Sequence, residues 1–476
     1  MRKIFSLTLL AASMMASVAA AQDAPKTDVT LDELKAQILV MQQRLQSLEA
    51  KASAPPVAAP APAKTPAPAT TQIKWENSPR FTDSSGATFK LRGRLSIDGV
   101  NVNVDRKTTA SYKSRQFRAR QLFLGAEGQV GAWAYRIEGG AANGSSWGWD
   151  DAVIEYKTKS GMLLTLGNQK VGGLESLTSI KTITFMERGP FGDLTDTGFV
   201  LAAQATKIGA NWSLRGALQG DSINKADVSA GAYDANNAKE RSGFMVRGTW
   251  APIMTATDTV HVGASARYRS TGGETGFTYS AAANTAYRPQ TSAGGVLLSS
   301  GAVGKSDTTV GVEGAWTHKA VSLQGEVAQI KVNRVTTAQS AANGGKDFNI
   351  VTGYALASWF PTGETRPYNP GGQFGRIKVL HPIDKGGMGA YELAARYDYA
   401  DLSKMSPNSV ATLASQTGLA TAGTYKGLTV GVNWYPYSNV RLMANLTKAK
   451  INNRLIGAVQ NDANVTVLQA RMQIEF

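Results

Sequence analysis

From residue 87 to the C-terminus, one pattern returns again and again: apolar and polar side chains alternate at a spacing of two. The stretch FKLRGRLSID (89–98) shows it plainly. Successive side chains of a strand point to opposite faces, so Phe89, Leu91, Leu95 and Ile97 share one face and Lys90, Arg92, Arg94, Ser96 and Asp98 the other. WAYRI, NWSLRGAL, FMVRGTW, TVHVGASARYR, YELAARYDY, LTVGVNW and VRLMANL continue it. A helix cannot sustain this period. Two solutions remain: a soluble sheet with its apolar face in a core, or a closed barrel with its apolar face toward lipid and its polar face toward a wet lumen.

Two features select the barrel. Trp and Tyr recur at segment ends (Trp133, Trp212, Trp250, Tyr391, Trp434), where interfacial girdles fall. Short connections near 128–131, 158–161, 208–210, 319–320 and 437–438 alternate with longer ones at 140–150, 171–197, 220–240, 270–305 and 401–424. That is the rhythm of periplasmic turns and external loops. The last strand, VTVLQARMQIEF, alternates up to a terminal Phe476. The expected fold is all-β: an antiparallel transmembrane β-barrel of about sixteen strands, over residues 73–476. The connection 361–388 breaks the rhythm, being long where a turn should fall.

The N-terminus gives the destination. Arg2 and Lys3 precede a short apolar run ending in Ala19 and Ala21, an export signal over residues 1–21. No later stretch reaches the ~20 apolar residues of a spanning helix. Cysteine is absent, so disulfides and thiolate metal sites are excluded. Within residues 22–51, Leu31, Leu34, Ile38, Met41, Leu45 and Leu48 fall at alternating steps of three and four, with Thr30 and Glu33 as a capping box. The expectation is a short periplasmic coiled-coil helix, stable only if an oligomeric body holds its partners close, and able to contact the cell wall. Residues 52–72 form an Ala/Pro-rich linker.

The strand register places Lys90, Arg92, Arg94, Arg118, Arg120, Arg136, Lys157, Arg215, Arg247, Arg267, Arg269, Arg396, Arg441 and Arg471 on the lumen side. Asp98, Glu138, Asp151, Glu155, Glu313, Glu326, Glu392, Asp398 and Glu475 join them. RQFRARQLFLG alternates poorly, which leaves the faces of Arg118 and Arg120 less defined. Barrel closure makes the first two and last two strands neighbours, gathering seven of these bases against Asp98 and Glu475. Such a wall raises the local anion concentration, and each guanidinium offers a bidentate grip on phosphate or carboxylate at any working pH. Two other uses of these residues stay open: cross-strand pairs that brace the wall, and a crossed field in which Glu313 and Glu326 face the bases of a general diffusion pore.

The formal charge of +15 suits anionic solutes and outer-membrane lipid or lipopolysaccharide better than nucleic acid, which an exported protein rarely meets. Enzyme chemistry is poorly supported. Of His261, His318 and His381, only the first shares a strand face with a nucleophile, Ser265, at ~13 Å. No cofactor is expected.

Several segments resemble the O/P family of phosphate- and polyphosphate-selective porins: LRGRL (91–95), RARQL (118–122), DAVIEYK (151–157), GNQKVGGLESLTSIKTITFMERGP (167–190), GAYELAARYDYADLS (389–403) and LTVGVNWYPYSNVRLMANLTKAK (428–450). The resemblance implies a homotrimer of sixteen-stranded barrels with an arginine ladder, admitting inorganic phosphate, polyphosphate or other small anions by passive diffusion. The ladder role then falls on Arg92, Arg94, Arg118 and Arg120, and that of entry lysines on Lys170 and Lys181. The third external loop, 171–197, becomes the constriction, with Glu175, Lys181, Glu187 and Arg188. An inward fold of that loop would also carry the acids Glu175, Glu187, Asp193 and Asp196 toward an anion path. The competing expectation is a general diffusion porin that tethers the outer membrane through its stalk.

Overall fold

Period-two alternation over runs of ten to twenty residues leaves each strand with one face for lipid and one for the interior, and the chain satisfies both by closing on itself. The computed structural model describes residues 31–52, 71–108, 110–143, 146–225, 239–273, 276–287, 297–334, 346–404, 423–453, 455–456 and 459–476. The export signal expected at 1–21 and nearly all of the expected Ala/Pro-rich linker lie outside the described residues. The helix α1, Leu31–Ala52, forms a unit of its own, with Ile38, Met41 and Leu45 of its heptad seam exposed.

Sixteen strands make the barrel: β1 (Thr88–Arg106), β2 (Tyr112–Val130), β3 (Trp133–Ala142), β4 (Gly148–Lys157), β5 (Met162–Lys170), β6 (Phe199–Ile208), β7 (Trp212–Gln219), β8 (Ser242–Met254), β9 (Asp258–Ser270), β10 (Leu298–His318), β11 (Val321–Arg334), β12 (Phe348–Trp359), β13 (Ala390–Asp401), β14 (Thr424–Tyr437), β15 (Val440–Asn452) and β16 (Ala463–Glu475). Each pairs antiparallel with the next, and β16 pairs with β1 from Ala463↔Arg106 to Glu475↔Arg94, which leaves no free edge. A hairpin, Gln72–Trp75 and Pro79–Thr82, adds to the start of β1 through Arg80↔Lys90. Phe476 bonds Gly93 in both directions at 2.9 and 3.1 Å, so the terminal aromatic seals the seam. Its ring lies where a Cβ on Gly93 would sit, and only glycine leaves that space.

Tight turns mark the periplasmic end. Gly131 (φ 59) and Gly161 (φ 75) supply the left-handed backbone that such turns require. Just above them the exposed Trp133, Trp212, Trp250, Trp316 and Trp359 form a girdle, with Tyr391 stacked on Trp434 at 6.2 Å. The poor alternation of the second segment is a bulge: β2 steps from Gln121 to Ala119 against Ser96 and Ile97, so Arg120 is the unpaired residue.

Among the described residues, three connections fold into the barrel. They are the third external loop (171–198), with the short helices α2 (Leu174–Leu177) and α3 (Gly189–Thr195); the described part, 276–287 and 297, of the external connection 271–297; and the long periplasmic connection 360–389 that broke the sequence rhythm. The external and periplasmic intrusions meet, since Arg366 Nη1 donates to the Thr182 carbonyl at 3.1 Å and Phe374 N–H to Thr178 Oγ1 at 3.3 Å.

The alternation also reverses its sense. In the lower half of β1, Leu91 and Leu95 face out and Arg92 and Arg94 face in. In the upper half, Val100, Val102 and Val104 are buried inside while Asn101 and Asp105 are exposed. The upper parts of β11, β12, β14, β15 and β16 do likewise, with Ile330, Ile350, Tyr425, Ile451 and Val467 packed on Phe277, Tyr279 and Tyr287 of the infolded connection 271–297. There the interior is a dry core and the exterior is wet. The expectation that apolar faces look outward holds below this level and is reversed above it, because the surroundings change at the membrane boundary.

Candidate functional site

A loop can be buried only if its backbone polar groups find partners, since it has no ladder to satisfy them. The third external loop finds them in the inward side chains of the far wall. Arg441 Nη1 donates to the Ile183 carbonyl at 2.6 Å, Asn433 to Thr184 at 2.8 Å, Arg471 Nη1 to Met186 at 2.8 Å, and Arg396 to the Arg188 carbonyl. Arg267 reaches the Thr195 carbonyl. The loop is thereby strapped against β13–β16, with its far end held by β9. Its first helical turn is held on the adjoining wall: Leu174 N–H donates to Glu313 and Glu326 at 3.0 Å each, and Glu175 N–H to Glu326 at 2.7 Å.

Arg247, Arg267, Arg441 and Arg471, expected along the anion path, therefore lie beneath the infolded segments instead. They face inward as their register requires, but all are buried, and the hydrogen bonds they donate go to carbonyls of the infolded segments, to Thr309 and Gln473, or to Glu313, Asp98 and Glu187. Arg269 is drawn aside at the extracellular end by Asp307, at 3.1–3.2 Å. Glu313 and Glu326 are buried under the loop tip and do not face the bases of β1 and β2, so these two acids do not make a crossed field.

The space left open runs along β1–β7. This cavity, of about 920 Å³, is lined by Arg92, Arg94, Arg120, Arg136 and Arg215 from the wall, and by Lys170, Lys181 and Arg188 from the loop and its root. Carboxylates share the lining, and most are engaged. Arg92 contacts Glu127 at 2.7 Å, Glu138 at 3.0 Å and Asp151 at 3.9 Å. Arg94 pairs with Glu138 and Asp150 and lies 4.0 Å from the centre of the Phe123 ring. Lys181 reaches the same Glu138 at 3.1 Å, and Arg136 reaches Asp151 at 3.2 Å. The sequence reading set only Asp98 and Glu475 against the first strands. It missed Glu127 on β2, Glu138 on β3, and Asp150 and Asp151 on β4 as partners, because side chains converging inside the ring bring bases on β1 to acids two and three strands away.

The loop acids are likewise bound. Glu187 accepts from Arg120 at 2.8 and 3.0 Å and from Arg471 at 2.7 Å. Burial raises its pKa, but the two guanidiniums outweigh burial and hold it at about 2. Asp196 is held at about 2 in the same way by Lys170 and Arg188 against burial. Glu175 is pushed up by burial despite Arg396, and Lys181 is pushed down by burial despite Glu138. Asp193 accepts Ala282 N–H at 2.8 Å.

Two cations differ from the rest. Arg188 donates from Nε and Nη2 to the Glu175 and Thr178 carbonyls at 3.1 and 2.8 Å; among the described residues this leaves Nη1 without a partner, and no carboxylate stands within ion-pair distance. Arg215 has an unpartnered Nε and no ion pair among the described residues. Arg215 was placed on the lumen side by register but not singled out, because pattern alone does not tell an open position from a covered one. The remaining candidates sit at the ends. Lys90 is at the periplasmic mouth beside Arg80, and Arg118 is near the external rim, donating to the Asn143 carbonyl at 3.2 Å.

Residues 89–476 match the sequence profile of a family described as phosphate-selective porin O and P. The chain is similar to an uncharacterized protein of Caulobacter vibrioides, 28% identical over 510 residues, covering 99% of this chain and 96% of that relative. It is also similar to Porin O of Pseudomonas aeruginosa, 28% identical over 420 residues, covering 80% of this chain and 88% of the relative. Among solved structures, it is similar to the outer membrane channel DcaP of Acinetobacter baumannii (TM-score 0.48, 10% identity, covering 83% of this chain and 99% of that one). An anion-selective porin from Comamonas acidovorans follows (TM-score 0.46, 13% identity, covering 82% and 100%).

Proposed function

The chain belongs to the phosphate-selective porin O and P family, an outer-membrane anion channel, and from that premise we propose that phosphate-like oxyanions cross it along the β1–β7 wall. The observation that carries this reading is the pair Arg188 and Arg215, two guanidiniums on the open cavity whose charge no carboxylate among the described residues answers within ion-pair distance. A dianion in that cavity gains charge-assisted hydrogen bonds that chloride cannot match in geometry. The ladder pairs Arg92–Glu138 and Arg94–Glu138 then act as moderate sites. A passing phosphate competes with a carboxylate already in place, so it binds long enough to be favoured and weakly enough to leave. Lys181, on the same Glu138, extends this sequence toward the loop.

The body works as a channel, and we read it as having no enzymatic activity: His261 is held between Glu313 at 2.9 Å and the Tyr368 hydroxyl at 2.6 Å, with no serine or threonine hydroxyl bonded to it among the described residues. Residues 1–21 serve as export signal and 22–51 as a coiled coil whose exposed seam is available to sister subunits of a trimer. The competing crossed-field reading is disfavoured by the burial of Glu313 and Glu326. Planar-bilayer recording tests the proposal. Millimolar phosphate should reduce the chloride current, and Arg188→Gln should shift that block to higher concentration. A chloride current indifferent to phosphate would remove phosphate selectivity and leave a general anion pore.

A further inference from the structure

The reversal of alternation leaves an unusual surface on the outside of the barrel. Across β14, β15, β16, β1 and β2, the last outward apolar residues are Leu428, Leu446, Leu468 and Phe117. Above or beside them the outward positions are Lys426, Lys448, Lys450, Lys113 and Arg115, all exposed, with Asp105 the one acid on those rows among the described residues. Register sets Lys426 directly opposite Lys450. Like charges facing each other across a strand pair destabilise it, and none of the five bases has a protein partner among the described residues. On β7–β9 the upper outward positions are instead apolar or aromatic, Leu218, Phe244 and Tyr268 in one row. The basic patch is thus a property of one side of the barrel and not of the whole rim.

Its height is informative. Val440 lies at the periplasmic end of β15. At ~3.3 Å per residue and ~40° tilt, Lys448 and Lys450 stand about 20–25 Å above it, which is the height of the apolar band of an outer-membrane barrel. Five unpaired cations at the outer headgroup plane form a counter-surface for anions fixed in that plane. We propose that the outward face of β14–β15 and β2 is a binding site for the phosphate groups of an outer-leaflet glycolipid, with Lys426, Lys448 and Lys450 as its centre and Lys113 and Arg115 as its flank. The acyl chains would lie on the leucine rows beneath. This rests on the outer-membrane placement of the barrel and not on the anion path, since none of these side chains enters the lumen.

The test uses the full-length folded protein in detergent, titrated with bisphosphorylated lipid A and with the same lipid stripped of its phosphates, bound lipid being counted by native mass spectrometry. The phosphorylated lipid should bind the wild-type chain, and Lys426→Glu/Lys448→Glu/Lys450→Glu should bind it about a hundredfold more weakly. A Lys→Gln triple variant, milder toward folding, should show a smaller loss in the same direction. Phosphate block of the channel current should be unchanged in both, which separates this proposal from the one above. Equal binding of the two lipids, or unchanged binding by the charge-reversed variant, overturns the proposal. So does a change of oligomeric state with lipid binding intact, which would assign the face to a second copy of the chain. Weakened phosphate block in the charge-reversed variant with lipid binding intact would overturn it too.

Discussion

Arg215 and Arg247 face each other across the β7–β8 pair in direct register, carry the same side chain and point the same way. Arg215 lines the open cavity with no ion pair among the described residues. Arg247 is 1% exposed, pairs with Glu313 and donates to the carbonyls of Gly371 and Gly372 in the periplasmic connection. The whole lumen divides in this way. Arg92, Arg94, Arg120 and Arg136 stand on a wall that stays open, whereas Arg267, Arg396, Arg441 and Arg471 stand on a wall that three infolded segments cover. Strand parity makes an arginine lumenal. What folds in over it decides whether it meets solute or serves as a clamp.

The comparison would break first on the covered wall. Arg471→Ala strips Asp98 of its guanidinium, leaves Glu187 with Arg120 alone and frees the Met186 carbonyl. Stranding buried carboxylates costs about 3 kcal/mol or more, so denaturant unfolding should show the loss, and single-channel recording a larger, noisier conductance as the loop loosens. Arg247→Gln should destabilise by a similar amount while leaving phosphate block near its wild-type concentration. If either variant instead lowered phosphate affinity with stability intact, the covered wall would have to be read as part of the path.

The open wall should respond the other way. Arg92→Gln with Arg94→Gln removes two partners from Glu138 and leaves it Lys181. Phosphate should bind about tenfold more weakly, equivalent to ~1.4 kcal/mol, and the reversal potential in a salt gradient should move toward cations. Arg215→Gln, with no ion pair to break, should weaken phosphate block by a few-fold, roughly 1 kcal/mol, at unchanged unfolding midpoint.

The smallest effect sharpens the comparison by its flatness. Glu187 and Asp196 are depressed to about 2 from ordinary values of 4.5 and 3.8. A depressed carboxylate stabilises fully above its unfolded pKa and loses that contribution only as the pH falls through the folded value. Conductance noise should therefore stay constant from neutral pH to about 4.5 and rise only toward pH 2. A rise near pH 5 would mean that these acids are not held as described.

Much of the barrel was legible because a strand exposes its environment in every second residue. The girdle tryptophans, the turn rhythm and the terminal strand all read correctly. The infolded loop was not legible as a strap. Residues 180–188 are satisfied by Arg441, Asn433, Arg471 and Arg396, which lie more than two hundred residues away in sequence, and no local pattern encodes that pairing. The bulge at Arg120 left a trace, since the alternation failed there. The polarity reversal left none: VNVNV alternates as cleanly as FKLRGRL.

The sequence alone determined an exported chain whose strands alternate around a closed ring, because covalent geometry ties neighbouring side chains to opposite faces. Only the tertiary structure decided which face is wet at each height, which guanidiniums remain open to solute, and where the loops come to rest. Those outcomes depend on the membrane boundary and on contacts between distant strands, and neither is written in the spacing of adjacent residues.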